Sequence, residues 1–259
     1  MYLQPLPPGP TVQVDSENSP SGGGVSLLQM LNILVNIEFE RKEWGSGHYY
    51  HHLIEAMKYS FADRSKYIGD PDFYDVPLKW LLSKNYANEI FSKINDAAVP
   101  SSEILPGKVN SFSESEETTH YSVIDKFGNA VSTTTTINSS FGSKVVVDGA
   151  GFLLNNEMDD FSSKPGEPNQ FGLIGSDANK IEPGKRMQSS MSPTIILKDN
   201  KPFMLIGSPG GSTISTVVLQ VILNVLDYGM DIQQAIDMPR IHHQWLPDEL
   251  NYERFGFYL

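Results

Sequence analysis

Thr118 begins the stretch Thr118-Thr119-His120-Tyr121-Ser122-Val123, directly after the acidic run Glu114-Ser115-Glu116-Glu117. By local pattern alone this junction reads as a loop entering an edge strand. The second reading is a processing site, cut before Thr118. A threonine hydroxyl is a poor nucleophile at its own pKa and needs an adjacent base. An N-terminal threonine carries that base itself, because an α-amine titrates at about 7.7–8.0. Breaking the Glu117–Thr118 bond would therefore create nucleophile and base in one step.

Other residues have the types that acyl transfer needs. Its intermediate is an oxyanion that calls for fixed N–H donors. Gly210 and Gly211, in Gly207-Ser208-Pro209-Gly210-Gly211-Ser212 before a helix, can present backbone donors without side-chain obstruction. Glu157 and Asp160 lie three apart after a strand end, as a solvated turn or as a cradle for a substrate ammonium. Ser189 and Ser190 follow Lys185-Arg186 and either cap a loop or donate to a substrate carboxylate. Each signal alone has a plain structural reading. Together they fit one substrate bearing an ammonium and a carboxylate beside an amide. The pairs His51-His52 and His242-His243 lack ligand spacing, so neither a metal nor another cofactor is expected. Ser208 departs from Gly-x-Ser-x-Gly by one position, which speaks against an α/β-hydrolase elbow.

The elements that must position these residues follow from periodicity. Pro20 to Gly24 reads as a flexible lead-in to an apolar, buried helix over Val25–Ile37. Helices are also expected within Gly45–Tyr67, where Tyr50, Leu53, Ile54, Met57 and Phe61 recur at helical spacing, and over Ser83–Ile94. From Thr118 the period changes to two. Strands are expected over Thr119–Asp125 and Ala130–Ile137, turning at Lys126-Phe127-Gly128-Asn129. A three-residue loop there sets Thr118 opposite Asn138, on one sheet face with Thr136. Further strands are expected at Val145–Val147 and Gly151–Leu154, and a hairpin across Asp199-Asn200. Lys164–Lys185 is long and rich in Gly and Pro, the mark of a lid, a binding loop or disorder. Helices over Ser212–Asp227 and Asp231–Asp237 complete the pattern.

Composition sets the outer bounds. The chain has 259 residues, 39% hydrophobic, enough for one large domain or two small ones. A net charge of −12 argues against a nucleic-acid partner, whose phosphates need Lys and Arg. The absence of cysteine excludes disulfides and thiol chemistry. No apolar run approaches the roughly 20 residues of a membrane span. Met1–Asn18, rich in Pro and polar residues, does not read as a signal peptide.

Taken in order, several strings resemble γ-glutamyltranspeptidases (glutathione hydrolases). They are Thr118-Thr119-His120-Tyr121-Ser122-Val123, Asp125-Lys126-Phe127-Gly128-Asn129-Ala130-Val131 and Leu154-Asn155-Asn156-Glu157-Met158-Asp159-Asp160-Phe161. Lys185-Arg186-Met187-Gln188-Ser189-Ser190-Met191-Ser192-Pro193, Gly207-Ser208-Pro209-Gly210-Gly211 and Pro239-Arg240-Ile241-His242-His243-Gln244-Trp245 complete the set. Leu28 to Leu34 and Phe61 to Phe73 resemble the end of that family's large subunit, whereas Met1–Asn18 does not match it well.

The resemblance implies an α+β fold, the four-layer αββα sandwich of N-terminal-nucleophile hydrolases, incomplete here. Residues 1–117 would be the C-terminal part of a large subunit, mostly helical with an acidic linker over 100–117. Residues 118–259 would be a small catalytic subunit, truncated at its end. Self-cleavage between Glu117 and Thr118 would release Thr118 as nucleophile, supported by Thr136. The resemblance implies that Asn138, Glu157 and Asp160 hold the γ-glutamyl amine, Ser189 and Ser190 its carboxylate, and Gly210 and Gly211 the oxyanion. Glutathione and other γ-glutamyl compounds would be donors, and water, amino acids or dipeptides acceptors. Large and small subunits of one precursor would be partners, in the periplasm or outside the cell. Competing readings are an acylase of the same fold acting on glutaryl or antibiotic-type amides, and an inactive fragment serving as an interaction module. The family's carboxylate-binding arginine would lie in a large-subunit region absent here, and no arginine matches it. Phe171 stands in the lid loop where several bacterial relatives have tyrosine.

Overall fold

The structure, a computed structural model, describes residues 2–4, 12–16, 20–37, 39–104 and 118–254. Glu117 and most of the acidic linker, residues 105–117, lie outside the described residues.

A four-stranded antiparallel sheet organises the molecule, in the order β1 (Tyr2–Gln4), β2 (Val12–Ser16), β5 (Thr194–Lys198), β6 (Lys201–Ile206). Asp199 and Asn200 join β5 to β6, both in the left-handed region at φ 52° and 59°, as a two-residue hairpin turn requires. The expected hairpin is present, but the two N-terminal strands lie within a stretch that showed no family pattern. Their signal was the alternation Val12-Gln13-Val14, which buries both valines against the helices. Because β2 pairs with β5, the chain before Thr118 and the chain after it share one sheet.

Helices cover one face of that sheet. Val12, Val14, Ile196 and Met204 form one core with α1 (Gly22–Leu34), α2 (Gly47–Tyr67), α4 (Lys84–Phe91) and α5 (Ile214–Leu226). A short α3 (Leu78–Leu81) precedes α4, and α6 (Ile232–Asp237) follows α5, capped by Asp231. Serine caps start three of these helices: Ser21, Ser46 and Ser83 each accept an N–H from the first turn. The lead-in Pro20–Gly24 is therefore not flexible, and the first helix begins at Gly22 rather than Val25. All three of its leading glycines are buried; Gly22 packs against the Gln188 and Arg64 side chains and Gly23 against the Ser190 backbone.

The hairpin of β3 (Thr119–Ile124) and β4 (Ala130–Thr135) lies over the other face of the sheet, against β5 and β6. Thr119 pairs with Thr135 and Ile124 with Ala130, so the register lies two residues off the expected one. The Asp125 N–H still donates to the Asn129 carbonyl at 3.0 Å, which places the turn at Lys126–Gly128 instead of Phe127–Asn129. The Asp125 carboxylate fixes it there, accepting from the N–H groups of Phe127 and Asn129 at 2.8 and 2.9 Å and from the Asn129 amide at 2.6 Å. Extending this register sets Thr118 opposite Thr136 instead of Asn138, and the two threonines still share a face. That face is polar and turned inward. His120 bonds Thr134 and Ser122, and the Ser132 hydroxyl donates to the Ile206 carbonyl at 3.2 Å. The outward face carries Tyr121, Val123 and Val131, each about half exposed.

Val145–Val147 and Gly151–Leu154 approach through a single bridge, Val146 to Leu153, and form no full strands. Gly149 and Gly151, both at positive φ, turn the chain between the two segments. The first turn of the expected helix at Ser212 is a 3-10 turn, Gly211–Thr213. The short strands β7 (Ile241–His242) and β8 (Asn251–Tyr252) pair near the end. Residues 164–185 are irregular apart from one 3-10 turn, Asp177–Asn179, yet Phe171, Leu173 and Ile174 in them are buried. Phe171 packs in one cluster with Phe61 and Trp245, and Gln244 donates to its carbonyl at 3.0 Å. Among the described residues no helix is long and apolar enough to cross a membrane.

Candidate active site

Six segments of the chain meet at one small cleft. Thr118, Thr136, Asn138, Asp160, Phe171, Ser189, Ser190, Met191, Gly211 and Ile214 line it. These ten residues come from the start of the hairpin, the turn after β4, an acidic 3-10 turn, the long irregular segment, the segment before β5 and the N-terminal end of α5.

Thr118 and Thr136 reach the cleft because the hairpin turns its polar face inward. The Thr136 hydroxyl accepts the Asn138 N–H at 2.9 Å. Asn138 itself adopts φ 75°, a conformation asparagine tolerates better than most residues. The bend that follows is held by Asn156, whose carbonyl accepts from the Asn138 amide at 3.3 Å and whose side chain accepts the Ser139 N–H at 2.9 Å.

Asp160 closes the 3-10 turn Glu157–Asp160. Burial pushes its carboxyl up to about 7. Arg64 and a hydrogen bond from Asn138 pull the other way, while Glu157 and Asp159 add to the rise. Asn179 ties the turn down by donating to the Asp160 carbonyl at 2.7 Å. Glu157 sits one 3-10 turn away, off the cleft wall, its carboxyl also raised by burial. Asp160 is thus the acidic group of the pair that the fold brings to the cleft.

The serine pair is seated by the start of α1. Gly23 donates to the Ser189 carbonyl at 3.0 Å, Ser189 donates to the Pro20 carbonyl at 3.2 Å, and the Ser21 hydroxyl donates to the Met191 carbonyl at 2.7 Å. An ion pair fixes the approach to it. Asp70, buried at the end of α2, accepts from the Arg186 backbone at 2.8 Å and from its guanidinium at two nitrogens. Those bonds hold the Asp70 carboxyl well below the usual carboxylate range.

Gly211 lines the cleft and Gly210 stands just outside it. Both are at positive φ, 129° and 52° for Gly210 and Gly211, which turns the backbone sharply into the helix. Thr213 locks the turn by donating both its N–H and its hydroxyl to the Gly210 carbonyl, at 2.9 and 2.8 Å. A Cβ on Gly210 would meet that hydroxyl at 2.4 Å.

Sequence reasoning missed two parts of this arrangement. One is the glycine run of α1, legible only as a helix packed through its backbone. The other is Arg64, 5% exposed, whose guanidinium donates to the Ser190 hydroxyl at 3.0 Å. A signal for it existed: Met57, Phe61 and Arg64 follow helical spacing, so a charge sits on the apolar face of α2, where it must find a partner. The arrangement offers a threonine hydroxyl beside a second threonine, a carboxylate, a pair of hydroxyls and a glycine turn around one small space.

Residues 9–258 match the sequence profile of the family described as gamma-glutamyltranspeptidase, a match that begins within the stretch lacking visible resemblance. The glutathione hydrolase proenzyme of Escherichia coli (strain K12) is 53% identical over 246 residues, 95% of this chain and 42% of that protein. A mutant gamma-glutamyltranspeptidase from Helicobacter pylori superposes with a TM-score of 0.53 at 66% identity, covering 54% of this chain and 75% of that one. Cephalosporin acylase from Bacillus halodurans gives a TM-score of 0.73 at 29% identity, covering 93% of this chain and 40% of that one. The solved relatives bear out the α+β, N-terminal-nucleophile architecture. The chain spans about two-fifths of the length of the curated relatives it matches.

Proposed function

This chain belongs to the γ-glutamyltranspeptidase family, and from that premise we propose that the protein it forms part of transfers γ-glutamyl groups through Thr118. One observation carries the reading. Thr118, Thr136, Asn138, Asp160, Ser189, Ser190 and Gly211 line a single cleft, although they span most of the second half of the chain.

In this reading the bond between Glu117 and Thr118 is cut first, freeing the Thr118 amine. The Thr118 hydroxyl attacks the γ-carbonyl of glutathione or a related amide, and its own amine accepts the hydroxyl proton. Backbone N–H groups of the Gly210-Gly211 turn stabilise the oxyanion, each donor being worth about 2.7–4 kcal/mol of barrier. Collapse breaks the amide bond, and the leaving amine takes the proton. Water, or the amine of an amino-acid or dipeptide acceptor, then attacks the γ-glutamyl-threonine ester. Asp160, with Asn138, faces the substrate ammonium, Glu157 adding its charge from the neighbouring turn, and Ser189 and Ser190 donate to the substrate carboxylate. Thr136 holds the nucleophile in place.

The remaining part of the precursor is the partner in this reading, with residues 1–117 ending the large subunit and 118–259 forming the small one. The outward apolar face at Tyr121, Val123 and Val131 supports it, because such surface in water is normally covered. A periplasmic or extracellular location follows by analogy with the family. An acylase acting on glutaryl-type amides is the second reading, favoured by the superposition on cephalosporin acylase. Asp160 beside the serine pair favours an amino-acid head group instead, since a glutaryl group has no ammonium.

Two measurements test the proposal. The complete precursor should yield fragments that part between Glu117 and Thr118 by intact mass, and Thr118→Ala should stay uncut and inactive. The matured protein should release aniline faster from a γ-glutamyl anilide than from a glutaryl anilide. The reverse preference would select the acylase, and an uncut but active protein would overturn the N-terminal nucleophile.

A further inference from the structure

Arg64 does not line the cleft, yet its guanidinium bonds one group that does, the Ser190 hydroxyl, and its charge acts on another, Asp160. It lies on α2 behind the cleft wall, 5% exposed, with its guanidinium 6.0 Å from the Phe61 ring. The Gly22 backbone packs against it so closely that a Cβ there would lie 3.0 Å from the Arg64 Nε. Gln188, just before the serine pair, donates to its carbonyl at 3.3 Å. With Asp160 it lines a second cavity that shares Asp160 with the cleft.

We propose that Arg64 is a positioning residue for substrate recognition, aiming the Ser190 hydroxyl into the cleft and keeping a fixed positive charge beside Asp160. The inference rests on the γ-glutamyl reading above. A guanidinium has donors and no acceptor, so in its 3.0 Å bond with Ser190 the serine oxygen must accept. The single Ser190 O–H is then free to point elsewhere, toward a ligand acceptor such as a carboxylate. Arg64 thus sets the direction of a donor it does not replace.

Its second action is electrostatic. The charged and polar groups facing Asp160 are Arg64 from α2, Glu157 and Asp159 from its own turn, and the Asn138 amide from the bend after β4. Arg64 is the one cation among them. It opposes the burial and the two acidic neighbours that favour a neutral Asp160, and only the carboxylate attracts an ammonium. A buried guanidinium needs such a counter-charge in turn, and burial lowers its own pKa to about 10 against the pull of Asp160.

Steady-state kinetics of the complete, matured protein with Arg64→Met and Arg64→Lys test this, using a γ-glutamyl anilide and its analogue lacking the α-carboxylate. Met should raise KM for the full substrate roughly tenfold or more with kcat little changed, since a hydrogen bond to a charged group is lost. It should raise KM for the descarboxy analogue less, and move the acid limb of kcat/KM to higher pH. Lys should restore the limb, because the charge remains, but not the discrimination between the two substrates, because the planar fork is gone. Equal losses on both substrates, or an unmoved acid limb in Met, would overturn the proposal. Failure of both variants to fold would also overturn it, leaving Arg64 a structural cation. An unsubstituted protein that does not cleave γ-glutamyl anilide at all would sink the functional reading instead.

Discussion

A Cβ on Gly23 would lie 2.0 Å from the carbonyl oxygen of Ser190. Backbone packs on backbone there, so the start of α1 and the serine pair form one rigid joint. Gly23→Ala must push that joint apart. We expect a loss of about 1–3 kcal/mol in urea unfolding, as for other overpacked sites. Gly47→Ala is the control: it meets nothing within 4 Å at the start of α2 and should be neutral or slightly stabilising. In the complete protein Gly23→Ala should raise KM more than it lowers kcat.

Burial raises the Asp160 carboxyl to about 7, so it is neutral below that pH and charged above it. Recognition of an ammonium should therefore strengthen as pH rises through this point. The Thr118 amine adds its own rise near about 7.7–8.0, so the diagnostic is a difference between variants. In kcat/KM profiles, Asp160→Asn should lose the lower limb and keep the upper one. An unchanged lower limb would assign that titration to another group.

His242 is held neutral. Thr216 bonds its Nδ1 at 2.9 Å and Gln244 its Nε2 at 3.1 Å, and burial lowers its pKa from 6.5 to about 4. The unfolded chain therefore binds a proton at pH 6.5 that the folded chain refuses until about pH 4. Stability from this residue is complete above pH 6.5 and is lost as pH falls toward 4. Asp63 and Asp227, raised by burial to about 6, act with the opposite sign over part of the same range. Comparing the unsubstituted chain with His242→Gln isolates the histidine. The stability gap between them should narrow from pH 6.5 to 4 in thermal melts, and a constant gap would refute the assignment.

Much of the site was legible because its signals are local. The hairpin over Asp199-Asn200 and the glycine turn at 210–211 are short-range backbone chemistry. The hairpin register was not, because the Asp125 side chain holds the turn one residue earlier, at Lys126–Gly128. Parity nonetheless survived the error: a shift of two residues along a strand leaves every side chain on its original face, so Thr118 and Thr136 stay together. The glycines of α1 misled for a different reason. A run of glycine normally costs a helix stability, and here it is kept by close approach to residues far along the chain.

By itself, the sequence determined which groups are available and in what order: Thr118 behind an acidic leader, Thr136, the acidic turn, the serine pair and the glycine turn. Residue type and near-neighbour spacing are written in the chain, so such chemistry can be read without a fold. Only the tertiary structure decided which of these groups share a cleft, that Asp160 rather than Glu157 lines it, and that Arg64 stands behind Ser190. Those two residues are 126 positions apart, and their contact depends on how α1 and α2 pack beneath the sheet. No local pattern encodes that distance, because burial and side-chain direction are set by the whole core at once.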